Sequence, residues 1–163
     1  DQMEDAVCSE TEADDKISDH AGEADAHHSP YPQLTLGGFR VNPAIGDMLN
    51  PERINDTEFG TYAKGWEEAL YAQVDLPQPY RITQFRQYGT TSNNGDGRWT
   101  IQYLDIEDVW QDWVTSIPTV TINDYGAWDS SGGEVVAKAI KLICTTVDTG
   151  VYDSAIFELE VKF

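Results

Sequence analysis

From Leu70 onward this chain alternates apolar and polar residues with the period of a β-strand, and the runs are separated by clusters of Gly, Asn, Asp, Ser and Pro. Leu70, Ala72, Val74 and Leu76 fall on one side of the first run. Residues 81–88 read as a second strand after the Pro77-Gln78-Pro79 break, and Trp99, Ile101 and Tyr103 alternate with Thr100 and Gln102. Residues 113–117 follow, then Ile140, Leu142 and Cys144. Ala155, Phe157, Leu159 and Val161 close the chain in alternation with Glu158, Glu160 and Lys162. Turn clusters stand at residues 89–97 and 129–133. Successive strand side chains point to opposite faces, so such runs bury one face each and stack as an antiparallel sandwich. No part of this body sustains a helical apolar repeat. The expected fold class is all-β, with Trp99 and Trp113 in the core because both fall on the apolar phase.

Composition changes at Pro30. Residues 1–30 hold ten acids, one lysine (Lys16) and all three histidines, with too few large apolar side chains to build a core. The expected organisation is an acidic extension over residues 1–30, disordered or helical on assembly, followed by a sandwich over residues 31–163. A segment of that kind suits folding against a neighbouring subunit, so homo-oligomeric assembly through residues 1–30 is expected. His27 and His28 read as helix-ending or exposed residues. Repeated around a symmetry axis, they would also suit a transition metal.

The formal charge of −19 repels nucleic-acid phosphates and anionic lipid, which excludes both as partners. No apolar run is long enough to cross a bilayer, so no membrane insertion is expected. The two cysteines, Cys8 and Cys144, make no zinc motif. Two readings stay open for them: a long-range disulfide, or two thiols with Cys144 buried as a small hydrophobe. The body lacks histidine altogether, which removes the usual acid–base group near neutral pH and any Ser-His-Asp set. With 29 acids, chance carboxylate pairs are inevitable and do not argue for glycoside hydrolysis. A non-catalytic protein is expected.

Several ordered segments resemble the galactose-binding-like, or discoidin (coagulation factor type C), group that includes the family 32 carbohydrate-binding modules. Ile82-Thr83-Gln84-Phe85-Arg86-Gln87-Tyr88 is similar to that family's strand leading into a binding-side loop. Arg98-Trp99-Thr100-Ile101-Gln102-Tyr103 with Trp113-Val114, Ala137-Lys138-Ala139-Ile140-Lys141-Leu142, and Tyr152-Asp153-Ser154-Ala155-Ile156-Phe157-Glu158-Leu159-Glu160-Val161 resemble three further strand units of the family. Together they cover residues 50–163. Within residues 18–28, Asp25-Ala26-His27-His28 resembles segments that precede the binding modules of phage tail fibres.

The resemblance implies an antiparallel jelly-roll β-sandwich with ligand sites on loops at one end, and a structural calcium near the strand edges. The calcium ligands would be Asn55, Asp56, Thr61 and Glu158, although Thr57 replaces the expected glycine. An oxygen-rich set of this kind suits a hard cation. An ordinary acidic turn capped by Thr61 is the alternative.

Sugar recognition combines an aromatic platform with planar polar side chains. Tyr152 stands where the family's platform aromatic falls. Tyr88, Asn93 and Asn94 would lie near the same end, with Arg86 and Arg98 as donors and Trp66 and Trp128 as further aromatics. The expected function is a non-catalytic carbohydrate-binding or adhesion module at an extracellular or virion surface, with glycan as partner. A structural subunit of a virion or extracellular filament, with the sandwich as scaffold, is the other class.

Overall fold

The computed structural model describes residues 44–56, 58–149 and 154–162. The expectations for residues 1–30, Cys8 and Tyr152 lie outside these. The described strands are β1 (Ile45–Gly46), β2 (Ala63–Gly65), β3 (Tyr71–Ile82), β4 (Gln84–Tyr88), β5 (Arg98–Leu104), β6 (Trp110–Pro118), β7 (Val135–Thr146), β8 (Ser154–Ile156) and β9 (Glu158–Lys162), with one 3-10 turn at Pro51–Ile54. β1, β3, β7, β5 and β6 form a five-stranded antiparallel sheet in that order, and β2–β8 and β4–β9 form two antiparallel pairs. The fold class is the expected all-β sandwich.

The core follows the period-two pattern. Ala72, Val74 and Ile82 of β3, Trp99 and Ile101 of β5, Trp113 and Ile117 of β6, and Ile140, Leu142 and Cys144 of β7 are buried with Phe85, Leu159 and Val161. The Phe85 ring of β4 meets Trp113 of β6 edge-on at 5.6 Å between centroids, and the Trp113 indole N–H donates to the Gly133 carbonyl at 2.9 Å. Both expected core tryptophans are core.

Two features differ from the sequence reading. β3 runs through Pro77-Gln78-Pro79, because the register with β7 shifts between Asp75 and Tyr80; proline, lacking an N–H, sits where the regular ladder is interrupted. The chain turns instead at Thr83, so the single strand read over residues 81–88 is the end of β3 and the whole of β4, in different sheets. The second difference is Phe157. Alternation placed it in the core, but the ladder breaks there. Ile156 points inward with Leu159, and the Phe157 ring packs beside Tyr62 and Tyr88.

Candidate functional site

The register brings several loops to one end of the sandwich. Arg98 at the start of β5 pairs with Thr146 at the end of β7 and with Pro118 at the end of β6, and Gly65 at the end of β2 pairs with Ser154 at the start of β8. The loops at residues 66–70 and 89–97, and the segments leaving β6 and β7, therefore emerge together.

Asp148, just beyond β7 and 1% exposed, organises this end. Its carboxylate accepts the Asn94 amide N–H on both oxygens at 3.0 and 2.9 Å, the Gly95 N–H at 2.9 Å and the Thr119 hydroxyl at 3.1 Å. Its own amide donates to Ser154 Oγ at 2.9 Å. A buried carboxylate is stable only with such donors, and in return it fixes the loop that supplies them. Gly97 is required there: a Cβ would lie 2.6 Å from Ser154 Oγ and 2.9 Å from Thr119 Cγ2.

The side chains of this loop divide into two kinds. Asn93 is buried and its amide donates to the carbonyls of Val120 and Ala155 at 3.0 and 3.1 Å. Arg98 donates to the carbonyls of Gly95 and Gly97 at 2.6 and 2.7 Å. Both brace the loop. Asn94, Asp96 and Thr149 are exposed and linked to one another. Asp96 accepts the Thr149 hydroxyl at 2.7 Å and its N–H at 3.1 Å, and Asn94 Nδ2 donates to Thr149 Oγ1 at 3.4 Å. The hydroxyl bond from Thr149, followed by its amide, holds the Asp96 carboxyl below the usual aspartate range. At the same end, Trp66 leaves β2 with 43% of its surface exposed.

Tyr88, Arg86 and Trp128 form a separate group on the outer face of β4–β9. The Arg86 guanidinium lies 3.9 Å from the Tyr125 ring centroid and 4.4 Å from that of Trp128. Its Nε and Nη2 each reach Glu160 Oε2 at 2.6 Å, and Tyr125 donates its hydroxyl to Glu160 Oε1 at 2.8 Å. Burial first, then that hydrogen bond to a carboxylate, pushes the Tyr125 phenol well above its usual range. Tyr88 donates to the Asn123 carbonyl at 2.9 Å and stacks with Phe59 at 4.8 Å, while Tyr125 meets it edge-on at 5.2 Å. These contacts strap residues 119–134 onto β4, where Tyr125 pairs with Tyr88 and Asp129 with Phe85.

The four residues expected to hold calcium already serve the protein's own hydrogen bonds in part. Asn55 Oδ1 accepts the Ala44 N–H at 3.1 Å. Asp56 accepts the Glu58 N–H and the Thr61 hydroxyl, each at 2.8 Å, which closes the turn that presents Phe59. Glu158 is buried opposite Tyr88. Among the described residues no three His, Cys, Asp or Glu side chains gather as a metal cage.

No protein-family model matches this chain, and no curated protein does. Solved structures do resemble it. A pectin binding carbohydrate binding module superposes with a TM-score of 0.57 over 68% of this chain and 78% of its own, at 21% identity. The family 32 module of AlyQ, in complex with 4,5-unsaturated mannuronic acid, gives a TM-score of 0.60 over 83% and 98% at 12% identity. The family 32 module of Clostridium perfringens NanJ, in complex with galactose, gives 0.56 over 73% and 93% at 14% identity. The fold is that of the family 32 carbohydrate-binding modules. The sequence reading placed Asn94 near this end and Trp66 in a loop, and it did not name Asp148, Asp96 or Thr149. A signal for Asp148 and Thr149 is the run Val147-Asp148-Thr149-Gly150, a hydrogen-bonding turn sequence directly after an apolar strand. It also missed Tyr125 and Phe59, which lie in polar, turn-rich segments without strand periodicity.

Proposed function

We propose that this chain is a non-catalytic carbohydrate-binding module whose ligand sits at the loop end, against Trp66 and the Asn94–Asp96–Thr149 rim. The observation that carries this reading is the buried Asp148 carboxylate, which fixes the 89–97 loop and holds those planar polar groups in place. Preorganised amide, carboxylate and hydroxyl groups at the same end as an exposed indole suit a sugar, which offers hydroxyls on its rim and C–H groups on its faces. Likeness to modules solved with galactose and with an unsaturated uronic acid supports the class of ligand. A glycan array on the full chain, repeated with Trp66→Ala and Asn94→Ala, tests it. Binding that survives both substitutions, or no binding to any glycan, defeats the reading.

Display at an extracellular or virion surface, with residues 1–30 joining neighbouring subunits, is part of the same proposal and is supported by the extension's acidic, core-free composition. Native mass with and without residues 1–30 tests it: two monomers refute it. Calcium at Asn55, Asp56, Thr61 and Glu158 is a further proposal. Because the Asp56–Thr61 turn must reorganise to admit the ion, its dissociation constant is expected in the weak range of about 10⁻⁴–10⁻³ M, and calorimetric titration without heat of binding would dismiss it.

A further inference from the structure

The outer face of the five-stranded sheet carries groups that the loop-end site does not use. Gln73 of β3 pairs with Lys141 of β7, Lys141 with Gln102 of β5, and Gln102 with Asp112 of β6. At a strand spacing of about 4.8 Å, this row of polar side chains crosses about 14 Å of sheet. Tyr71 and Trp110 stand two residues before Gln73 and Asp112 on their strands, hence on the same face. Their rings flank the Lys141 ammonium, at 5.2 and 3.8 Å from the two centroids. Gln102 Nε2 donates to Asp112 Oδ1 at 2.7 Å, and Gln73 Nε2 donates to Asp75 Oδ1 at 2.7 Å. On β4–β9, by comparison, the 119–134 segment pairs along the β4 edge, and its Tyr125 and Trp128 rings lie over the Arg86 guanidinium.

The charges on the sheet face select its occupant. One ammonium stands between two carboxylates, Asp75 and Asp112, in a chain of net charge −19, so an anionic polymer is repelled. A row of amides and carboxylates bordered by aromatic rings is too polar for an apolar peptide, yet it matches a ligand with many neutral hydroxyls and C–H faces. We propose that this face is a second binding site, for a neutral hexose oligosaccharide lying across β3, β7, β5 and β6. It stands independently of the loop-end site.

The test is a ¹⁵N NMR titration of the full chain with cellotetraose, mannotetraose and galactotetraose in turn, repeated on Trp110→Ala, Gln102→Ala and Trp66→Ala. At least one neutral tetraose is expected to shift the Trp110 indole and the amides around Gln102 and Lys141, with the effect unchanged in Trp66→Ala. Trp110→Ala and Gln102→Ala are each expected to weaken it about tenfold; Gln102→Ala, at a polar surface position, guards against a Trp110→Ala variant that fails to fold. Absence of face shifts with every neutral tetraose overturns the proposal, as do shifts only with oligouronates or only on raising protein concentration. Failure of the loop-end site is read separately, from the Trp66 indole.

Discussion

Both oxygens of the Asp148 carboxylate accept the backbone N–H of Asn94, at 3.0 and 2.9 Å, across 54 residues of sequence. Two distant turns are thereby joined through one buried charge. Asp148→Asn keeps one acceptor oxygen but replaces the other with an NH2 donor that faces backbone N–H groups of the 89–97 loop. A loss of about 1.5–3 kcal/mol is expected, read by urea denaturation, together with lost order in the 89–97 loop, read by amide exchange. An unchanged midpoint would mean that the loop holds itself.

Arg86 lies between two aromatic rings while bonded to Glu160, a geometry that a planar guanidinium satisfies and an ammonium does not. Arg86→Lys keeps the charge but loses the stacking and the Nε/Nη2 pair of bonds. It is expected to cost about 1–2 kcal/mol in chemical denaturation. Full retention of stability in the lysine variant would show that charge alone secures the 119–134 strap.

Gly65 faces Cys144 so closely that an added Cβ would stand 2.9 Å from its Cβ and 3.0 Å from its Sγ. Gly65→Ala is expected to destabilise by about 1–3 kcal/mol through overpacking. Combined with Cys144→Ala, which removes the opposing sulfur, it should cost less than the sum of the two single changes. Strict additivity in thermal or chemical unfolding would mean that the clash is with the Cys144 Cβ, which alanine keeps, and not with its sulfur.

The Asp96–Thr149 contact sets a pH dependence at the loop end. A carboxyl held low in the folded chain contributes stability that is present above its unfolded value and is lost as pH falls through the folded one. The Thr149 amide shift is therefore expected to titrate with a midpoint below 3.8, the ordinary aspartate value. A midpoint at or above that value would mean the contact is not maintained in solution.

How legible each part was depended on whether its cause is local. Trp99, Trp113, Ile140 and Leu142 were readable as core because strand side chains alternate and an apolar phase must be buried. The Pro77-Gln78-Pro79 segment misled, because proline excludes a regular ladder but not a strand with a register shift at that point. Asn93 and Arg98 were readable as polar loop residues, but not as braces. Whether a polar side chain faces solvent or a backbone carbonyl depends on which loops meet it.

What the sequence alone determined is the class of fold and the chemistry available to it: period-two strands, an acidic chain, a body without histidine, and aromatic and amide residues in turn-rich segments. The tertiary structure decided which of these act together. It brought Asp148 under Asn94, placed Trp66 at the same end, and moved Arg86, Tyr88 and Trp128 to a separate strapped face. The physical reason is that strand periodicity is encoded in neighbouring residues, whereas a buried carboxylate finds its donors only when sheet register brings distant loops within hydrogen-bonding distance.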